Sequence, residues 1–258
     1  MKLSSVLSVI IFVFISNSLY AKKPPAVQFV NMAPLPGGCY AVNERGKPDG
    51  LGAGQINIPV AYTPGDGYWS VGATSGEYAT RQYHRNEENF SGVVSFGVGG
   101  SPRIYLSAMF VSTWIANDTP AFNFQIHAFD ETEKLPSLAF GCQDLANKEN
   151  TDSGDVANTK ASYYAVMTKG FNIPKGNKLY ATLGWGAGRF LDTYFGGMSY
   201  PISEYVTVAA EYDGFQMNEG IIVRPQGRNG NLSFTIGNNN KAGVLVGMMI
   251  TGKLNFSF

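Results

Sequence analysis

The chain has 258 residues, with 19 Lys and Arg balanced by 19 Asp and Glu, and only 15% of it is charged. Ordinary globular domains carry about 25% charged residues, so this composition is poor in the groups that keep a soluble surface wet. The 31 Gly, 17 Phe and 14 Tyr point to a sheet-rich chain, and a neutral balance without a basic stripe excludes nucleic acid as the expected partner.

Met1 and Lys2 precede the apolar run LSSVLSVIIFVFIS, which passes through SLYA into a pair of lysines. A charged start, a short apolar core and a small residue at the cut form the pattern of a secretory signal peptide, cleaved after Ala21. The core is short for a spanning helix, and no other run of about 18 apolar residues follows. No Cys adjoins the cut, so attachment as a lipoprotein is not expected. Residues 22–50 are rich in Pro and Gly and lack periodicity, and read as a lead-in or plug segment ahead of one domain over 51–258.

Alternation then begins and does not stop. QINIPVAY (55–62) sets Ile56, Ile58, Val60 and Tyr62 on one face, and YWSVGA (68–73) does the same with Trp69, Val71 and Ala73. SGVVSFGV opposes Val94, Phe96 and Val98 to Val93, Ser95 and Gly97. RIYLSAMF opposes Ile104, Leu106, Ala108 and Phe110 to Arg103, Tyr105, Ser107 and Met109. In AFNFQIHAF, Phe122, Phe124, Ile126 and Ala128 face one way, while Asn123, Gln125 and His127 face the other. Further segments at 138–143, 162–171, 179–188, 193–200, 205–213, 220–224 and 231–237 lead to the last, GVLVGMMITGKLNFSF. Period two is the signature of strands, and the breaks PGDG, GGSP, KLP, PKGN, EYDGF, PQGRNG and GNNNKAG carry turn chemistry.

Most segments run about nine to twelve residues, near the length a tilted strand needs to cross a bilayer. Long connections near 75–88, 113–120 and 145–159 alternate with short ones at 99–102 and 131–135, as in a barrel with short periplasmic turns and longer extracellular loops. The expected fold is therefore an all-β transmembrane antiparallel barrel in the outer membrane of a Gram-negative-type bacterium. Thirteen segments conflict with the even strand numbers of such barrels. Either QINIPVAY lies outside the wall, folded into the lumen, which gives twelve strands, or CYAVN around Cys39 adds a partner, which gives fourteen. Pro59 cannot donate to a ladder, and this favours twelve.

A closed barrel needs its last strand paired, and the alternate hydrophobics Leu254, Phe256 and Phe258 have the form of a C-terminal assembly signal read by barrel-assembly machinery. The other parity then supplies the lumen. Its candidates are Asn123, Gln125, His127, Lys169, Thr182, Thr207, Glu211, Asp213, Ser233, Thr235, Lys253 and Asn255. Lys169, Glu211 and Asp213 are expected to neutralise one another through hydrogen-bonded pairs. Gly184, Gly186 and Gly188 share one parity and leave inner room for large neighbours or a ligand, and without a following helix they are no dinucleotide turn. Cys39 and Cys142 either pair or remain as buried free thiols. No metal-ligand spacing, cofactor motif or GxSxG elbow occurs, and the two histidines, His84 and His127, do not assemble a catalytic site by spacing. No enzyme is expected.

Several segments in order resemble the YjbH family. DGLGAGQINIPVAYTPGDGYWSVGAT is similar to its opening hairpin, and FDETEKLPSLAFGCQDLAN to its acidic strand end followed by Leu-Pro and Ala-x-Gly-x-x-Asp-Leu. SYYAVMTKGF, LYATLGWGAGRF, FGGMSYPIS and VTVAAEYDGF are similar to the strands that follow, over about residues 50–258. The family's Gly-Thr-Gly after Asp-Leu is here ANKENTDSGD, and its usual Ser before Lys is Thr168. The resemblance implies a non-enzymatic outer-membrane protein linked to exopolysaccharide or capsule production. Its implied partners are outer-membrane lipid, the polymer and other export components. The rival reading from the residues alone is a small diffusion porin or a plugged structural barrel, with a lipid-modifying enzyme behind both.

Overall fold

The computed structural model describes residues 35–76, 89–112, 121–145, 161–174, 176–214, 216–239 and 243–255. Twelve strands run β1 Tyr68–Gly76, β2 Asn89–Val98, β3 Arg103–Ser112, β4 Ala121–Phe129, β5 Ser137–Gln143 and β6 Ser162–Asn172. They continue as β7 Lys178–Gly186, β8 Thr193–Ser203, β9 Val206–Tyr212, β10 Met217–Val223, β11 Leu232–Asn239 and β12 Gly243–Lys253. Each pairs antiparallel with its chain neighbour. β12 returns to β1, with Lys253 opposite Tyr68 and Leu245 opposite Gly76, so the barrel is closed and keeps no free edge.

The alternation read from the sequence is the alternation of the wall. Along β4, Asn123, Gln125 and His127 are buried, whereas Phe122 and Ile126 are exposed on the outside. Along β12, Val244, Val246, Met248 and Ile250 are exposed, while Leu245, Met249 and Thr251 turn inward. One departure has a local cause. Register shifts between His127 and Phe129, and this bulge re-aims Phe129, which strict alternation would turn inward, to 65% exposure.

The outer face is ordered by height. Phe122, Tyr163, Trp185 and Tyr194 stand at the end from which the long connections 77–88, 113–120 and 144–161 leave. Trp69, Phe171, Tyr200 and Tyr205 stand at the opposite, short-turn end. Aliphatic side chains lie between, among them Val71, Val94, Leu106, Ile126, Ile221 and Ile236. The length contrast between the two ends belongs to the first half. In the second half, the connections 187–192, 213–216 and 240–242 are as short as 173–177 or 224–231.

The barrel is full. Residues 35–63 thread its interior, and Tyr40, Val42, Ala53, Ile56, Ile58, Val60 and Tyr62 are each at most 1% exposed. They pack against inward side chains of the wall, including Val93, Met109, Tyr180, Leu245 and Met249, and full burial of one such side chain contributes about 1.5–3 kcal/mol. QINIPVAY is therefore not a strand, despite its clean alternation. Gln55, Asn57 and Ala61 on its second face are as buried as the first, because wall surrounds it on every side. The wall begins at Tyr68, so the lumen segment takes in residues beyond 50, and Cys39–Asn43 also lies inside rather than in the wall.

The segment folds upon itself through bridges of Val42 to Pro48 and Ala53 and of Gly38 to Gln55, and through further backbone bonds such as Val60 to the Pro36 carbonyl at 2.9 Å. Its tight turn at 43–47 is closed by Asn43 Oδ1, which accepts from the amides of Arg45 and Lys47 at 3.0 and 3.1 Å. Gly46 takes a φ of +74°, and a Cβ there would stand 2.3 Å from the Thr63 carbonyl, so only Gly fits.

Candidate functional site

A segment threading a hollow still has to satisfy its backbone, and where it does not bond itself the wall supplies partners with side chains. Glu211 of β9 accepts from the amides of Ile56 and Asn57 at 2.8 and 2.5 Å, and from the Asn218 side chain at 3.1 Å. Asp213, two residues on, accepts from the side chains of Asn57 and Asn218 at 3.1 and 2.9 Å. Arg189, in the 3-10 turn Gly188–Phe190, donates to the Asn57 carbonyl and, at 3.2 Å, to its side-chain oxygen. Lower down, Ser199 receives the amide of Gly54 at 3.2 Å and Thr168 that of Ala61 at 2.9 Å. Tyr180 and Ser233 donate to the carbonyls of Leu51 and Cys39 at 2.7 and 2.9 Å.

The short-turn end closes with charge. Arg103 donates from Nε to the Thr63 carbonyl at 2.9 Å and from an Nη to Asp130 at 2.8 Å. His127 Nδ1 faces the Ala61 carbonyl at 3.1 Å, and since a carbonyl only accepts, that nitrogen carries the proton in this arrangement. Its Nε2 then accepts from Arg103 at 2.8 Å and also lies 2.9 Å from Asp130. Tyr62 donates to Glu131, and Arg228 of the 224–231 connection grips Asp49 of the lumen segment through Nε and Nη2 at 3.0–3.1 Å.

Asp130 is held below the ordinary carboxylate range: partial burial pushes it up, but the hydrogen bond and charge of Arg103 outweigh that. Its share of stability is thus present above the unfolded carboxyl value and is lost as pH falls through the lower folded value. Asp130 is half exposed, so the effect is small. A melting-temperature series from pH 6 down to pH 2 is expected to decline less steeply at its acid end for Asp130→Asn than for the parent. Identical curves would mean that the carboxylate is not engaged.

The expected lumen residues fall into three groups. Asn123, Gln125, His127, Thr182, Thr207, Glu211, Asp213, Ser233 and Thr235 are buried inside the barrel. Gln125 donates to the Val60 carbonyl at 3.0 Å and to Thr63 at 2.6 Å, and accepts from Tyr164 at 2.9 Å. Asn123 donates to Ser107 at 3.2 Å, and Thr182 shares a bond of 3.0 Å with Thr168. Lys253 belongs to the mouth, where its ammonium meets Asp66 at 2.6 Å and lies over the Tyr68 ring. Leu254 and Asn255 follow the wall and are exposed.

Lys169 is a correction. It shares the parity of the exposed Tyr163 and Met167, and its ammonium reaches the carbonyls of the β4–β5 turn and, at 3.4 Å, Glu131. It cannot neutralise Glu211 and Asp213, which lie toward the long-loop end of β9. Backbone and side-chain amides of Ile56, Asn57, Gln216 and Asn218 donate to those two carboxylates instead.

The inner room left by the glycines is occupied. A Cβ on Gly184 would stand 2.2 Å from the Phe195 ring, and one on Gly186 would stand 2.5 Å from Phe190. Phe190 and Phe195 stack at 4.3 Å, with Tyr164 edge-on to both. Cys39 and Cys142 are buried thiols, not joined in a disulfide. His84, Phe256 and Phe258 lie outside the described residues.

Arg103, Arg189 and Asp130 were not among the expected site residues. Inward parity beside Tyr105 and Ser107 was the available signal for Arg103. The other two sit in turns, where parity says nothing.

Two clefts flank the lumen segment at the short-turn mouth. One, of about 920 Å³, is lined by Glu44, Glu131, Glu133, Lys134, Lys169 and Lys178, and its charges balance. The other, of about 490 Å³, is lined by Asn43, Arg45, Lys47, Asp49, Asp66, Arg103 and Arg228. Among the described residues, no group of three or more His, Cys, Asp or Glu could hold a metal ion. No protein-family model matches the chain, and no curated protein does so either.

Proposed function

We propose that the chain is an outer-membrane β-barrel of the YjbH type, occluded by its own N-terminal segment, that serves exopolysaccharide production without catalysing a reaction. The observation that carries the membrane reading is the outer face. Two aromatic girdles bound an aliphatic band on a sheet with no edge, which is how a barrel meets hydrocarbon between two interfaces. The charged residues at outward positions of the described strands, Lys169 and Glu219, both lie toward strand ends. Lumen and mouth side chains support a non-enzymatic reading, since both ring nitrogens of His127 are occupied by structural partners. The filled lumen favours an occluded barrel over a diffusion porin, because residues 35–63 fill the space a solute would need.

The link to polymer rests on the ordered resemblance of the segments. Deleting the gene is expected to lower surface polysaccharide, with recovery on return of the wild-type gene; unchanged polymer would contradict it. The membrane reading has its own test. Leu106 lies mid-strand in β3, half exposed on the outer face. Leu106→Arg is expected to cost about 2–4 kcal/mol in denaturant unfolding from a bilayer, the penalty for Arg near the midplane, whereas a water-bathed position would change by less than about 0.5 kcal/mol.

A further inference from the structure

The charges around the smaller mouth cleft do not cancel. Three local carboxylates are already committed: Asp49 to Arg228, Asp66 to Lys253 and Asp130 to Arg103. Arg45 and Lys47, side by side on the turn of the lumen segment, line the same cleft with no carboxylate partner among the described residues. Lys47 reaches only the neutral side chain of Asn229, at 3.0 Å.

A second observation lies in the lining itself. Arg45, Lys47, Arg103 and Arg228 stand against Asp49 and Asp66 around a cleft of about 490 Å³, in a chain whose overall charge is zero.

We infer that this cleft is a binding site for an oxyanion, a carboxylate or phosphate group, held by Arg45 and Lys47 with Arg228 beside them. Guanidinium forks suit both groups. Asn43, Asn229 and Tyr68 at the rim can hydrogen-bond the body that carries the anion. The inference rests on the occluded-barrel reading, since a filled lumen leaves the mouths as the places where a ligand can dock.

The test uses the full mature barrel in zwitterionic detergent. It is titrated calorimetrically with inorganic phosphate and with galacturonate, beside R45A/K47A and, in the balanced cleft, Lys134→Ala. Saturable binding of at least one anion is expected, weakened about tenfold or more in R45A/K47A and unchanged in Lys134→Ala. Nanodiscs with and without phosphatidylglycerol separate the sources: competition by the anionic lipid assigns the site to a headgroup, and its absence assigns it to a soluble anion. Either result sustains the site. No saturable binding by the parent, or equal binding by R45A/K47A, overturns it. Each sample is also run unheated and boiled on a gel. A retained heat-dependent shift without anion binding removes this inference alone, whereas loss of the shift in the parent removes the barrel reading beneath it.

Discussion

Glu211→Ala is expected to open the barrel to ions. Glu211 is fully buried and accepts from two backbone amides of the lumen segment and from Asn218. Removing it leaves the amides of Ile56 and Asn57 without their acceptor, and each buried donor so stranded costs about 1–3 kcal/mol. The loss falls on the segment, not on the ladder, whose hydrogen bonds from β8 through β10 do not involve this side chain. The wall should therefore persist while residues 35–63 loosen. In planar bilayers, current steps are expected for Glu211→Ala and not for the parent. Glu211→Gln keeps one acceptor oxygen in place and should fall between the two. A silent Glu211→Ala barrel that still shows its heat-dependent gel shift would mean that the segment is held chiefly by its apolar contacts.

Gly184→Val is expected to damage the wall itself. The Cβ of any larger residue would lie 2.2 Å from one atom of the Phe195 ring, 2.5 Å from another and 2.7 Å from the Ala165 carbonyl. Phe195 cannot swing aside, because Phe190 stacks on it and Tyr164 meets its edge. Overpacking of this kind costs about 1–3 kcal/mol and occasionally more. Two β-branched methyls pressed against backbone place Gly184→Val at the upper end. Gly92→Ala is the control, since nothing lies within 4 Å of its Cβ position, and it should shift stability by less than about 0.5 kcal/mol. Equal unfolding midpoints in guanidinium for Gly184→Val and the parent would show that the aromatic cluster can rearrange.

What could be read in advance was the wall, and the reason is geometric. A strand with an apolar outer face and polar neighbours on its inner one writes its orientation into every second residue, as in AFNFQIHAF and GVLVGMMITGK. The same rule failed to tell QINIPVAY from a wall strand, because alternation records side-chain chemistry and not where the backbone hydrogen bonds go. Pro59 was the local clue. The site was less legible. Glu211, Asp213 and Gln125 carried inward parity, but Lys169 was grouped with Glu211 and Asp213 by charge although its own parity pointed outward. Asp130, Arg189 and Arg228 lie in turns or just past strand ends, where no period applies. Arg189 and Arg228 meet Asn57 and Asp49 from 132 and 179 residues away in sequence, and only closure of the ring brings them together.

The central claim is that residues 35–63 occupy the interior of a closed twelve-strand ring, and a cross-link tests it most directly. Thr168 of β6 accepts from the Ala61 amide at 2.9 Å, so cysteines at both positions, with Cys39 and Cys142 changed to Ser, lie within the span of a short bis-maleimide linker. On treatment of the folded barrel with that linker, Ala61→Cys/Thr168→Cys is expected to form an intramolecular cross-link in most molecules, visible as a mobility change on a denaturing gel. Each single variant should give none. Two singly capped thiols and no cross-link in the double variant, in samples that retain the barrel's heat-dependent shift, would place the segment elsewhere and contradict the account.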